Sequence, residues 1–335
     1  MATIRDVAKL AGVGVGTVSR VLSGKGSVSS KTLLKVNHAM EALSFKPNIA
    51  ARSLVSKKIN TIGIWGTETS GEINRDTLRK IESELKPYEV HLIFTDGELN
   101  SKQNPNSTRD SFDSLINKGC DGIIIWGSDL AAREILQIEN DFPNITMLNH
   151  KVELIDDKCF YFDHYQAGYV CGQHLIDKGH CNIACITGWL ETDDGNQRHQ
   201  GFMDAISDNN VNIPEELIFE GDYTYKKGYK GALALLKQDL PFTALFCGND
   251  QSAMSAIAAI TNKGLKVPND ISVMGYDDMN IATYTSPPLT TVRIPFNRMA
   301  ISATRRLLNS CYDLDLEVDR DFPVQLIERK SVISL

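Results

Sequence analysis

Apolar positions follow two different periods along the chain, and the change falls near residue 60. Before it the spacing is helical. Ile4, Val7, Ala8, Leu10 and Ala11 form a stripe, Thr3 stands where an N-cap belongs, and Asp6 follows near the helix's positive end. Gly12 closes this helix, because glycine accommodates the left-handed turn that follows. A second helix is predicted over 15–22, burying Val18, Val21 and Leu22. Two short helices across a glycine-containing turn make a helix-turn-helix, whose second helix enters the DNA major groove. Ser29 caps a predicted third helix over 31–43, with Leu33, Leu34, Val36, Ala39, Met40 and Leu43 facing the other two. Beyond Pro47, Asn48 can cap about two more helical turns; a helix that short is marginal alone and folds only when something docks on it.

From Thr61 onward, apolar runs alternate with amphipathic stretches. Strands are predicted at 61–65, 90–94, 122–126, 145–148 and 160–162, then at 183–186, 217–219, 244–247, 271–274 and 291–294. Helical patterns lie between them, for example at 165–178, 197–209, 225–237 and 250–263. This alternation predicts an α/β class with doubly wound parallel sheets. Ten strands suit two lobes better than one sheet. Ligands bind beyond the carboxyl ends of such strands, so two facing lobes make a cleft that can close on a small molecule.

Charge changes the picture. The net charge of −7 over 335 residues argues, taken whole, against a nucleic-acid partner. Residues 1–60, however, hold ten Lys/Arg against only Asp6 and Glu41, a net of +8, which leaves −15 on the other 275 residues. A basic module on an acidic body points to a polyanion partner for the module. Seven cysteines without a C-x-x-C pair, most in apolar surroundings, read as free thiols of a reducing cytoplasm. No apolar run approaches the ~18 residues of a membrane span, and the N-terminus lacks the apolar core of a signal peptide. A cytoplasmic protein without a membrane partner is expected.

Catalytic readings find little support. The run Gly12-Val13-Gly14-Val15-Gly16 follows a helix rather than a strand, so it is not a dinucleotide fingerprint. A phosphate-cradling glycine loop, a G-x-S-x-G elbow and a metal cluster are all missing from the sequence. His180, Cys181 and Cys185 straddle a predicted strand start, which disfavours a metal site. No catalytic residue, metal or cofactor is expected beyond a small-molecule effector.

Thr3-Ile4-Arg5-Asp6-Val7-Ala8, Ala11-Gly12-Val13, Thr17-Val18-Ser19-Arg20-Val21-Leu22, Val28-Ser29, Pro47-Asn48 and Ala51-Arg52-Ser53-Leu54 stand together in register. In this the chain resembles the headpiece of the lactose/galactose repressor family. The resemblance continues through Gly179-His180, Arg198 with Gly201-Phe202, Gly248-Asn249-Asp250, Gly275-Tyr276-Asp277-Asp278 and Pro288-Leu289-Thr290-Thr291. It implies a helix-turn-helix headpiece (1–46), a hinge helix and linker (47–60), and a two-lobed body like periplasmic sugar-binding proteins (61–335). The N-lobe would hold about 61–161 and 291–320, and the C-lobe 162–290 and 321–335. One departure is Gly14, where the family usually has a capping serine; glycine still serves.

The same resemblance implies DNA contacts from Thr3, Val15, Gly16, Thr17, Ser19, Arg20, Ser29, Asn48 and Ala51. Arg20 suits bidentate reading of guanine, and Leu54 of each subunit would wedge into the minor groove at the centre of a near-palindromic operator. Val15-Gly16 is close to the Val-Ala pair of galactose-type repressors. For the effector, a neutral polyol needs a carboxylate, a guanidinium and an aromatic face. Asp250 supplies the first, with helix capping as its other role; Arg198 and Tyr223 match effector-binding positions, and Trp189 and Asp163 are further candidates. Asp277-Asp278 reads as structural or lobe-linking. At Ser70-Gly71-Glu72-Ile73-Asn74 the aromatic that the family usually brings to its pocket is replaced by a carboxylate. The expected function is a homodimeric repressor released from its operator by a mono- or disaccharide. A corepressor-type regulator binding a nucleoside or purine is the alternative, and a solute-binding protein without regulatory role a more distant one.

Overall fold

Among the described residues three helices build the N-terminal module: α1 (Ile4–Ala11), α2 (Val15–Ser23) and α3 (Ser30–Ala42). The structure is a computed structural model and describes residues 2–23, 28–43, 45, 58–66, 72–96, 105–127 and 130–335. Thr3 and Asp6 form a reciprocal capping box on α1, and Gly12 closes that helix with φ 66°. Ser29 caps α3, its hydroxyl accepting from Thr32 N–H at 3.3 Å. Val7, Ala8, Ala11, Val18, Val36 and Ala39 make the module's core. Leu33 and Leu34, expected to face the other helices, are instead 41% and 69% exposed. With Val36 and Ala39 filling the contact, the helix surface turns these two outward.

The N-lobe sheet runs through β1 (Thr61–Gly66), α4 (Glu72–Leu85), β2 (His91–Asp96), α5 (Pro105–Asn117), β3 (Gly122–Trp126), α6 (Ala132–Asp141), β4 (Ile145–Leu148) and β5 (Cys159–Phe160). Its order is β2-β1-β3-β4-β5, all parallel. Successive residues enter opposite cores: Ile62, Ile64, Ile124 and Trp126 pack on one face, Trp65, Ile123 and Ile125 on the other. Burial on both faces explains why these strands read as continuous apolar runs.

The C-lobe runs through α7 (His164–Asp177), β6 (Ile183–Ile186), α8 (Asp193–Asp208), β7 (Ile218–Phe219), α9 (Tyr225–Leu235), β8 (Ala244–Cys247), α10 (Asp250–Asn262) and β9 (Ser272–Met274). Its four parallel strands lie in the order β7-β6-β8-β9. The stretch 291–294, predicted as a strand, joins neither lobe's sheet. β10 (Thr291–Arg293) pairs antiparallel with β11 (Gln325–Ile327), a two-stranded ribbon that carries the chain between lobes. Between them α11 (Phe296–Tyr312) packs on α4, β3, β4 and β5 of the N-lobe. After β11 the chain returns to the C-lobe, where Val273 N–H donates to Ser331 O at 2.8 Å. Among the described residues no helix is long and apolar enough to cross a membrane.

Candidate functional site

Two surfaces carry the chemistry. On the N-terminal module, α2 buries Val18 completely and turns Val15, Gly16, Ser19 and Arg20 outward, with Thr17 half-buried. An exposed Val15 at 42% leaves an apolar contact beside polar ones, the mixture that reads base edges. Arg20 Nε donates to Gly16 O at 3.3 Å, which lays the guanidinium along the helix face. Among the described residues a Cβ on Gly16 would meet nothing within 4 Å. Thr3 and Ser29 are exposed at helix N-termini and serve as caps. Asn48, Ala51 and Leu54 lie outside the described residues.

The second surface lies at the carboxyl ends of the body strands, where open parallel sheets bind ligands. Arg198 is its centre. It projects from α8, which begins at Asp193 rather than near 197 because Thr192 caps it, accepting from Gly195 N–H. The earlier start puts Asp194 one turn before Arg198, and their side chains pair at 3.3 Å. Arg198 also donates to Gly248 O, stacks over the Tyr276 ring at 3.9 Å, and lies 5.1 Å from the Tyr223 ring centre. Its Nε has no hydrogen-bond partner. Burial works against the charge, but Tyr223, Tyr276, Asp194 and Asp277 outweigh it and hold the guanidinium protonated. Burial likewise opposes ionisation of Asp194, yet Arg198 keeps that carboxyl below the usual range.

Close backbone packing fixes this arginine. A Cβ on Gly168 of α7 would sit 2.0 Å from Arg198 O, so only glycine lets the two helices approach as they do. Tyr223 has φ 65°, a left-handed backbone rare for a bulky residue and a pointer to function. Asn249 holds that turn, its Nδ2 donating to Tyr223 O at 3.0 Å. The Tyr223 ring rests on Gly188, and Trp189 meets it edge-on with centroids 5.6 Å apart. Among the described residues the buried Tyr223 hydroxyl has no hydrogen-bond partner, and burial pushes its pKa up to about 12.

The structure corrects the reading of the acids. Asp250 is fully buried and both its oxygens are occupied: Thr291 Oγ1 donates to one and Met279 N–H to the other, each at 2.7 Å. It faces the crossover ribbon rather than the cleft. Nor is it the N-cap of α10, a role taken by Asn249, which accepts from Ser252 N–H at 2.9 Å. Asp163 is an exposed N-cap of α7, accepting from Gln166 N–H at 2.8 Å, so its carboxylate serves the helix. Asp277 takes the place expected for Asp250. Its backbone is strained at φ 117°, and burial pushes its carboxyl well above the usual range against the pull of Arg198. Asp278 is the lobe-linking member, paired with Arg293 at 2.7 Å and Arg329 at 2.5 Å.

Asp277 also lines a cavity of about 440 Å³ between the lobes, with Asp76, Thr77, Asn280, Ile294 and Phe296. Asn280 Nδ2 donates to Asp76 Oδ2 at 3.2 Å in its lining, and among the described residues the buried Thr77 hydroxyl has no partner. At the first lobe crossing, His164 joins Asn149 Oδ1 and the Tyr276 hydroxyl, both at 2.9 Å. Burial and nearby Arg198 hold His164 neutral, with its pKa at about 3. Among the described residues no group of three His, Cys, Asp or Glu is placed to hold a metal.

Residues 3–48 match the profile of bacterial regulatory proteins of the lacI family, and residues 173–332 that of a periplasmic binding protein-like domain. Over 99% of its length the chain is 35% identical to the HTH-type transcriptional repressor PurR of Photorhabdus laumondii, covering 97% of that protein. The chain belongs to the LacI family. It is similar in fold to the lac repressor dimer bound to operator and the anti-inducer ONPF, with TM-score 0.86 and 28% identity over 99% of each chain. A LacI-family sugar-binding transcriptional regulator from Escherichia coli, complexed with phosphate, aligns with TM-score 0.74 and 29% identity, over 83% of this chain and 100% of that one. This LacI-family protein is thus a DNA-binding transcriptional repressor. The similarities do not single out the galactose-type branch suggested by Val15-Gly16.

Sequence reasoning brought Arg198, Tyr223 and Trp189 to one site and missed Asn149, His164, Asp194, Tyr276 and Asp277. Two signals were within reach. Thr192, three residues before Gly195, marks the true start of α8 and so the Asp194–Arg198 pair. Asp277 follows β9 as Asp250 follows β8, and the strand-end rule applies to both.

Proposed function

We infer that this LacI-family repressor binds a near-palindromic operator as a homodimer and that a mono- or disaccharide in the interlobe cleft releases it. The observation that carries the effector class is the grouping of Arg198 with two carboxyl groups, Asp194 and Asp277, beside the Tyr223 and Trp189 rings. Carboxyl oxygens accept paired hydroxyls, the guanidinium donates back, and ring faces cover the C–H surface of a sugar. Arg198 Nε, Tyr223 OH and Thr77 Oγ1 supply polar atoms that lack partners. The cavity shares Asp277 with this group, while Arg198, Tyr223 and Trp189 stand outside its lining; its volume of about 440 Å³ lies within the range of small-molecule sites. Lobe closure on the ligand would then move the two N-lobes apart and with them the headpieces, a reciprocal exchange of ligand and operator affinity.

The whole-length similarity to repressors named PurR favours a second reading, a nucleoside or purine acting as corepressor. Thermal-shift titration of the full-length protein against sugars, nucleosides and purine bases separates the two. A sugar should raise the melting temperature with increasing concentration, because binding to the folded state alone stabilises it. Stabilisation by a purine with none by any sugar would overturn the saccharide reading. Operator titration with and without the stabilising compound then gives the sign of regulation.

A further inference from the structure

Directly after residues 46–57, which lie outside the described residues, the chain joins the body at 58–61, and one carboxylate holds that junction. Asp121, in the turn between α5 and β3, accepts Ile59 N–H on Oδ1 at 3.1 Å. Its Oδ2 accepts Thr61 N–H at 3.1 Å and the Tyr312 hydroxyl at 2.8 Å. The backbone of Asp121 is tied to the same two segments: its N–H donates to Thr61 O at 2.8 Å, and Cys311 Sγ lies 3.2 Å from its carbonyl. Lys58 adds an ion pair with Asp313 at 3.7 Å and sits 5.6 Å over the Tyr312 ring. The first residues after the DNA-binding segment are therefore bolted to the last residue of α11.

The opposite end of α11 lies at the interlobe cavity. Phe296, its first residue, lines the interlobe cavity, and two positions earlier Ile294 N–H reaches Asp277 O at 3.4 Å. The helix has 17 residues and no proline inside it, so it spans roughly 25 Å as one straight element. Arg305 pairs with Glu84 of α4 at 2.7 Å midway, which seats it firmly on the N-lobe.

We propose that Asp121 and Tyr312 are positioning residues for operator recognition: they fix where the DNA-binding segment leaves the body, and α11 links that exit to the effector cleft. The proposal rests, for its link to the cleft, on the reading of that cavity as the effector site. Two conservative variants of the full-length protein test it, Tyr312→Phe, which deletes one hydroxyl, and Asp121→Asn, which removes the charge that gathers three donors. An operator is first selected by the wild-type protein from a random duplex library. Fluorescence anisotropy then gives affinity for that operator and for a scrambled duplex of equal length.

Each variant should lose about tenfold or more in operator affinity, the scale of a lost hydrogen bond to a charged group, with scrambled-duplex affinity kept within about twofold. The double variant should lose little more than the worse single one, because both act through one contact. Amide exchange at 58–61 should speed up while 62–65 stays protected. A residue that served the fold alone would lower the melting temperature and weaken both duplexes equally, and that result overturns the proposal, as does an unchanged operator affinity. If Asp121→Asn does not fold, Tyr312→Phe decides alone. Failure of every sugar and purine to stabilise the protein would refute the cleft reading, and with it the α11 link, while leaving the ratio of operator to scrambled binding to judge the junction.

Discussion

The acid that serves a ligand and the acid that serves the fold differ here by what fills their lone pairs. Asp250 and Asp277 each follow a C-lobe strand, yet Asp250 has a donor on each oxygen whereas Asp277 faces Arg198 and the cavity. Asp277→Ala should therefore weaken binding of the stabilising ligand by about 10- to 100-fold, the range for hydrogen bonds to charged groups. Asp250→Asn should change it only a few-fold; calorimetric titration of both variants checks the assignment, and a larger loss from Asp250→Asn would reverse it. On the DNA face the informative residue is Gly16. None of the described residues lies within 4 Å of its absent Cβ, and alanine is about 1 kcal/mol better than glycine inside a helix. Gly16→Ala should thus stabilise α2 by up to about that amount and add a methyl that can meet thymine methyl groups. Selection from a random duplex library should return a shifted base preference beneath α2; an unchanged consensus would remove position 16 from the interface.

Elements carry the geometry that single residues cannot. The α7–α8 contact depends on Gly168, where any Cβ would stand 2.0 Å from the Arg198 carbonyl. Overpacking of this kind costs about 1–3 kcal/mol and displaces backbone, so Gly168→Ala should lower the melting temperature and weaken ligand binding together. A variant that loses stability but binds normally would detach the helix contact from the site. The same scale shows what the sequence makes legible. The N-terminal module and most strands were readable because caps such as Thr3 and Ser29 and apolar runs such as 122–126 are local signals. The pairing of β10 is not legible, because three residues carry too little pattern to say that β11, more than 30 positions away, will pair with them. Arg198 was found from its motif, whereas Asp194 required the true start of α8, a boundary set by one threonine. His164 and Asn149 meet only because the first lobe crossing brings the end of β4 to the start of α7, and no spacing along the chain encodes that.

At the scale of the whole molecule, a strained, acid-bearing corner closes the body, and its protonation should be visible in global stability. The corner Asp277-Asp278 has positive φ at both residues and is braced from behind by Asp250, which ties Met279 and Thr291 together. Burial raises the Asp250 carboxyl from 3.8 to about 7 in the folded state. The folded protein therefore holds a proton there that the unfolded chain has lost between those values. With a raised folded pKa, the stabilisation is fully present below pH 4 and is lost as pH rises through 7. His164 runs the other way: its folded pKa is depressed to about 3, so its contribution is present above 6.5 and disappears as the solution is acidified. Opposed slopes of this kind hide each other in the wild-type curve. A comparison with Asp250→Asn isolates one of them, because the amide, like the protonated acid, keeps an acceptor for Met279 N–H and a polar group beside Thr291 Oγ1, whose hydroxyl rotates to suit it. The other titrations then cancel between the two proteins. Melting temperatures of the pair should nearly coincide at pH 4 and separate as pH rises to 8, with the variant the more stable by about 4 kcal/mol at most, since three pKa units correspond to that energy. A difference that stays constant across this range would mean that Asp250 is ionised throughout, and that the corner is held by a carboxylate rather than by an acid.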